Sequence, residues 1–212
     1  MLTWFFLLLF QFLVYIGGPI SGGHFNPALT LSELVCGRRN RLLMLAYLVV
    51  QCVGALLAGA LVRGIRGADN IKPPVHFSNE GDEIVVEIIY TFCLVLTAWK
   101  TGLSRAAVRK GNSYYGLAIS SVVMSGIFAA GSISGAVFNP AVALGLCSLG
   151  ASEWGTIWLY WLAPCAGGLL GLFAFLLLED ERADEKKQKH VPSNDIPLTE
   201  QPARDEPVDL ED

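Results

Sequence analysis

The sequence predicts an all-α membrane protein built as an inverted repeat, with five spanning helices and two re-entrant half-helices. Three observations carry that prediction. Of the 212 residues, 53% are hydrophobic and only 16% charged, a balance that suits a bilayer rather than a soluble globular domain. The apolar residues gather in runs approaching the roughly 20 residues that a hydrocarbon core requires. One fourteen-residue stretch then recurs 113 positions later, each copy following one apolar run and preceding another.

Taken in order, the candidate spans are residues 2–16, 42–62, 84–99, 114–130 and 157–178. The first opens apolar with no basic flank and runs into a motif instead of a cleavage site, so it is read as structure and not as a signal peptide. Basic connections favour the cytoplasmic side. Arg38, Arg39 and Arg41 follow the first span, and Lys100, Arg105, Arg109 and Lys110 follow the third. Both connections are therefore expected inside, and 63–82, with Asp69, Pro73, Pro74, Glu80 and Asp82, outside. From Glu179 onward the composition turns polar, with acidic clusters, Lys186, Lys187 and Lys189, and four prolines at 192, 197, 202 and 207. Such a segment buries too little apolar surface to fold, which predicts a disordered cytoplasmic tail at 179–212 behind a membrane domain at 1–178. The net charge of −4 belongs mainly to that tail. Five cysteines, at 36, 52, 93, 147 and 165, lack ligand or redox spacing and read as packing residues.

The repeat aligns Gly18-Pro-Ile-Ser-Gly-Gly-His-Phe-Asn-Pro-Ala-Leu-Thr-Leu31 with Gly131-Ser-Ile-Ser-Gly-Ala-Val-Phe-Asn-Pro-Ala-Val-Ala-Leu144, nine of fourteen positions being identical. At the same offset Cys52 falls on Cys165, Gly54 on Gly167, Leu56 on Leu169 and Leu57 on Leu170. The repeated unit is thus helix, motif, helix. Its two leading helices lie three crossings apart, so the copies run in opposite orientation around a shared midplane. Each motif begins a helix: Asn26 and Asn139 stand as N-caps, and Pro27 and Pro140 fill the first helical position, where a missing N–H costs nothing. The apolar runs beyond them, 28–35 and 141–149, are too short to cross a membrane and read as half-helices entering from opposite faces. One Asn-Pro-Ala is an ordinary helix start. Two copies, each preceded by Ser-Gly and set at equivalent points of an apolar repeat, are a specific signal.

At these residues the chain resembles the aquaporins, the major intrinsic protein family, over nearly all of 1–178. Both motifs are intact, as Ser21-Gly-Gly-His-Phe-Asn-Pro-Ala28 and Ser134-Gly-Ala-Val-Phe-Asn-Pro-Ala141, while Gln51-Cys-Val-Gly-Ala55 resembles the family's third helix and Glu87-Ile-Ile-Tyr-Thr91 its fourth. The resemblance implies six spanning helices, a homotetramer and one pore per subunit, with the pore motifs at Asn26, Pro27, Ala28, Asn139, Pro140 and Ala141. Two departures stand out. The family's first helix has no counterpart, because 2–16 corresponds to the second; an incomplete gene model or a truncated product is one reading. An arginine usually follows the second motif in the family, and here Val142 does. Carried over by spacing, the selectivity constriction is Phe6, Ile127, Ala136 and Val142, apolar throughout, which implies weaker rejection of cations and relaxed selectivity. Ala143, where glycerol-conducting members carry Asp, and Tyr160-Trp161, where they carry Pro-Leu, point back to the water-conducting branch.

Together these residues predict a water channel with some passage of small neutral solutes, with a glycerol, urea or ammonia channel as the rival and a non-conducting membrane subunit as a third reading. Two half-helix N-termini meeting at mid-membrane place about half an elementary charge each at the pore centre and repel cations. The amides of Asn26 and Asn139 donate to a passing water and break the donor chain that proton hopping needs. The approaches Gly22, Gly23, His24, Phe25 and Gly135, Val137, Phe138 are expected to offer backbone carbonyls to the passage. His24 has two readings, a pore group or a satisfied buried histidine, and Phe6 has a lipid-facing alternative. Glu87, in an apolar span, is costly unless interior; the resemblance makes it a structural anchor that accepts from loop N–H groups. Gly54, Gly116, Gly167 and Gly168 read as sites of close helix crossing. No nucleophile–base pairing, metal-ligand cluster or phosphate loop is visible, so neither an enzyme nor a metal or other cofactor is expected. Expected partners are water, small uncharged solutes and the lipid bilayer of a plasma or vacuolar membrane, with no nucleic acid.

Overall fold

The structure, a computed structural model, describes residues 2–67, 79–104, 107 and 111–178. Contacts divide the chain into Met1–Leu176 and Leu177–Asp212. The tail predicted at 179–212 lies outside the described residues, as do Asp69, Pro73, Pro74, Arg105, Arg109 and Lys110 of the connections.

Seven α-helices and no strand appear among the described residues: α1 (Leu2–Ser21), α2 (Pro27–Cys36), α3 (Arg41–Arg66), α4 (Glu80–Ala98), α5 (Tyr115–Ala130), α6 (Pro140–Leu149) and α7 (Leu159–Leu178). A π-helical turn, Trp99–Leu103, prolongs α4, and a 3₁₀ turn, Trp154–Thr156, precedes α7. Four helical stretches are long and apolar enough to cross a membrane: Trp4–Ser21, Arg41–Arg66, Glu80–Leu103 and Trp154–Leu178. The fourth predicted span, 114–130, appears as α5 with 16 residues, roughly 24 Å at 1.5 Å per residue, shorter than the other four. Its C-terminus turns at Gly131 into the second motif, where Ile133 and Ser134 N–H bond back to Ala130 O.

Three helices outrun the sequence prediction, α3 by four residues at its C-terminal end, and for the other two the reason is identifiable. The sequence places the end of the first span at residue 16, ahead of Gly18 and Pro19, yet α1 continues to Ser21 with Pro19 inside it. Proline cannot donate to the carbonyl four residues back, and the Tyr115 hydroxyl donates to that carbonyl, Tyr15 O, at 3.3 Å instead. At the other boundary, α4 begins four residues early because the Asn79 side chain caps it, accepting from Asp82 N at 3.0 Å. Glu80, Asp82 and Glu83 fill its first turn, where negative charge favours the positive end of the helix dipole.

The half-helices are ten residues each, and both end on a left-handed glycine, Gly37 (φ 71°) and Gly150 (φ 84°), a conformation that favours a residue without Cβ. These glycines are also 113 residues apart, which extends the repeat to the C-caps. Packing at the centre joins α2, α4 and α7 through Leu29, Val95, Trp99, Leu172 and Phe175. The Trp99 and Phe175 rings stack at 5.0 Å, and Trp99 Nε1 donates to Ser32 Oγ at 2.9 Å.

Glycines let backbones approach at several crossings. A Cβ on Gly168 would lie 2.9 Å from Ala28 O, one on Gly167 would overlap Ile88 O, and one on Gly116 would lie 2.9 Å from the Tyr15 ring. Gly54 departs from its expected role, since a Cβ there meets nothing within 4 Å. The close approach of α3 is made by Gly59, whose face of the helix lies against Gly145 and Ser148 of α6.

Candidate functional site

The two helix tips are built alike. Asn26 (φ −144°, ψ 117°) and Asn139 (φ −155°, ψ 112°) are extended N-caps with proline next in the chain. Each Oδ1 accepts from the N–H two residues on, Ala28 N and Ala141 N, both at 2.9 Å. Each Nδ2 reaches the opposite repeat: Asn26 donates to Phe138 O and Asn139 to Phe25 O, both at 2.8 Å. The tips are therefore locked crosswise, every asparagine capping its own half-helix while fastening the other's approach loop. A side-chain amide carries two N–H donors, so one donor on each remains for a third group.

The loops before the tips are held by different means. In the second, Ala136 (φ 53°) and Phe138 (φ 49°) occupy the left-handed region, uncommon for residues with a side chain and costing on the order of 1 kcal/mol each. Glu87 of α4 compensates. Its Oε1 accepts from Ser134 Oγ at 2.7 Å and Val137 N at 2.9 Å, and its Oε2 from Phe138 N at 2.6 Å, short charge-assisted bonds of the stronger class. Ser134 is further tied by Tyr160, whose hydroxyl donates to Ser134 O at 2.8 Å. The Tyr90 ring packs on Phe138 at 5.3 Å.

In the first loop the positive φ values fall on Gly22 (87°) and Gly23 (68°), where they cost little. The clamp is Gln51 of α3, whose Nε2 donates to His24 O at 2.7 Å and to Thr30 Oγ1 at 2.8 Å. Tyr47 adds a bond to Ser21 O at 3.3 Å. His24 is buried, with Nδ1 3.3 Å from Thr30 Oγ1 and its ring edge-on to Tyr47. We expect Gln51→Leu to lower stability by about 2 kcal/mol, because it leaves the His24 carbonyl without its donor and takes one partner from the Thr30 hydroxyl, which keeps its bond to Asn26 O; the shift of the unfolding midpoint in detergent measures it.

Between the loops and half-helices lies a cavity of about 970 Å³. Asn26 and Asn139 line it, and so do Phe6, Ile127, Ala136 and Val142. Gly22, Gly23, Phe25, Gly135, Val137 and Phe138 are in its wall, whereas His24 and Glu87 are not. Several of the backbone carbonyls expected from sequence to serve as acceptors also take a hydrogen bond within the protein. His24 O, Phe25 O and Phe138 O are engaged by Gln51 and the asparagines, and Gly23 O accepts from Phe25 N at 3.1 Å. One end of the cavity is marked by Phe6 and Ile127. The other is marked by Gly18 and Tyr115, twelve residues away along α1 and α5, with Thr101, Asn112 and Arg39 beside them.

From sequence, Arg39 counts only toward membrane orientation and Gln51 only toward family likeness. A polar Gln inside the apolar run 42–62 is a usable signal for the clamp. Nothing local marks Tyr47, or Thr91, whose Oγ1 donates to Phe138 O at 3.5 Å, as neighbours of these loops.

A family model described as Major intrinsic protein matches residues 2–175, which hold both Asn-Pro-Ala motifs. The chain belongs to the major intrinsic protein family. Similar members include aquaporin NIP1-1 of Zea mays, 33% identical over 168 residues that make up 78% of this chain and 58% of the relative. Probable aquaporin TIP2-2 of Arabidopsis thaliana is 34% identical over 163 residues, 74% of this chain and 63% of the relative. Its namesake in Oryza sativa subsp. japonica is 36% identical over 165 residues, with 75% and 64% covered. The chain thus spans less than two thirds of the length of these relatives. For this major intrinsic protein the family match takes in α1 to α6 entire and α7 up to Phe175.

Proposed function

We propose that this chain forms a passive membrane channel for water, with relaxed selectivity toward small neutral solutes. The observation that supports it most is the crosswise lock of Asn26 and Asn139 at the wall of one cavity. Each amide keeps a donor for the oxygen of a passing water, and the half-helix dipoles orient that water with its hydrogens outward. Successive waters then cannot relay a proton across the centre, and a cation meets the positive ends of both half-helices. In this reading Phe6, Ile127, Ala136 and Val142 form the constriction, offering no charge, so size alone selects there. The free carbonyls of the glycine-rich approaches serve as acceptors, and Glu87 fixes the strained loop. Residues 1–178 are the channel domain of a homotetramer in a plasma or vacuolar membrane, and 179–212 its cytoplasmic tail. The apolar faces left outward by α1 and α3, only 6% of whose spans are buried, suit lipid and neighbouring subunits.

Stopped-flow swelling of proteoliposomes tests this. Water permeability above that of protein-free vesicles is the expected result, and its absence rejects the channel in favour of a non-conducting subunit. Faster entry of glycerol or urea than of water identifies a solute channel, a reading favoured by the uncharged ring around Val142. Val142→Arg is expected to cut the passage of urea-sized solutes roughly tenfold, a barrier raised by about 1.4 kcal/mol. Unchanged urea entry in that variant would remove Val142 from the constriction.

A further inference from the structure

Arg39 is the only charged residue among the described residues lining the cavity. It lies at the mouth away from Phe6 and Ile127, because α2 runs outward from Asn26 and hands the chain to Gly37 and the Arg39 turn. Its guanidinium is not loose. Arg39 Nε lies 2.7 Å from Glu33 Oε2, and the Glu33 side chain is 3% exposed against 38% for Arg39. Glu33 does not line the cavity. The pair therefore turns its positive end to the passage and buries its negative end in the wall. Arg38, its guanidinium 4.9 Å above the Trp99 ring, also acts on the Glu33 carboxylate, so two guanidinia face one carboxylate and the local balance is positive.

The two repeats differ at this pair. At the offset of 113, Glu33 corresponds to Leu146 and Arg39 to Ser152. The second half-helix has an apolar residue where the first has an anchoring acid, although the tips and glycine C-caps of the two agree. A carboxylate buried in a half-helix is costly unless paired, and the residue it pairs with is the one whose other face meets the cavity.

We propose that Arg39, positioned by Glu33, is a specificity-determining residue: a fixed positive charge at this mouth that rejects small cations before they reach the asparagines. It takes on, at the opposite mouth, the charge that the ring containing Val142 does not supply. A cation at this mouth meets a like charge held in the cavity wall by its buried partner, a repulsion that the solvent around the part-exposed guanidinium moderates but does not cancel. Neutral solutes feel no such barrier. This inference rests on the channel reading, and the experiment separates the two.

Full-length wild type, Arg39→Leu, Arg39→Lys and Glu33→Gln are reconstituted in proteoliposomes. Water entry is read by swelling, and sodium entry by a trapped sodium-sensitive dye. Arg39→Leu is expected to pass water still while admitting sodium at least tenfold faster than wild type. Arg39→Lys, which keeps the charge, stays near the wild-type leak, and Glu33→Gln, which frees the guanidinium from its anchor, falls between. Water flux in Arg39→Leu with a wild-type sodium leak overturns the role of Arg39 and leaves the channel standing. A wild-type chain that passes no water overturns the channel reading and this inference with it. Should Arg39→Leu not yield folded protein, Arg39→Gln, which retains length and polarity without charge, decides by the same sodium reading.

Discussion

Glu87→Leu will cost this protein most of its folded population. The carboxylate satisfies three donors at once, the Ser134 hydroxyl and the N–H groups of Val137 and Phe138. Leucine fills the volume and strands all three, and each buried unsatisfied donor costs about 1–3 kcal/mol. Two of them belong to a loop whose residues Ala136 and Phe138 already hold unfavourable backbone angles, and the bonds that remain, from Asn26 to Phe138 O and from Tyr160 to Ser134 O, satisfy none of the stranded donors. A combined loss on the order of 5 kcal/mol is comparable to the whole stability of many domains. Monodisperse protein after detergent extraction and the thermal midpoint are the readouts. Glu87→Gln gives an intermediate result, because the amide keeps one acceptor oxygen but turns an NH₂ toward a backbone N–H. A Glu87→Leu protein that unfolds within a degree or two of wild type would mean that the loop is held by something other than this carboxylate.

The parts of the molecule that are legible in the sequence are those set by local chemistry. Asparagine before proline fixes a helix start within two residues, and both half-helices begin where that chemistry puts them, at Pro27 and Pro140. The match between Ser21-Gly-Gly and Ser134-Gly-Ala is enough to pair the loops. What escapes is whatever depends on a partner far along the chain. Helix α1 passes through Pro19 because Tyr115, nearly a hundred residues on, takes over the orphaned carbonyl. The carbonyls of His24, Phe25 and Phe138 each accept a bond from a side chain far along the chain, Gln51, Asn139 and Asn26. In the sequence Arg39 is one of several basic residues marking a membrane face, and only the placement of Glu33 beneath it separates it from Arg41.

Glycines make the same distinction testable with the largest effect after Glu87. The repeat pairs Gly54 with Gly167, and Gly167 does sit hard against the Ile88 carbonyl of α4. In α3, however, the crossing has moved to Gly59, five residues on and about 140° around the helix. A Cβ on Gly59 would overlap Ser148 Oγ and the Gly145 carbonyl, while one on Gly54 meets nothing. The opposing surface offers little give: a Cβ on Gly145 would itself lie 3.1 Å from Ala55 O, and Ser148 Oγ donates to Leu56 O at 3.1 Å. A side chain at 59 must therefore push α6 bodily outward, and α6 carries Asn139 and Val142 at its N-terminal end. Overpacking of this kind costs about 1–3 kcal/mol or more, and the displacement also loosens the bond from Asn139 to Phe25 O. We expect Gly59→Leu to lose both folded protein and water permeability, Gly59→Ala to keep part of each, and Gly54→Leu to match wild type in midpoint and flux. Equal behaviour of the two leucine variants would place the contact between α3 and the second half-helix elsewhere. It would also break the route by which a residue outside the cavity wall controls the position of the asparagine at its centre.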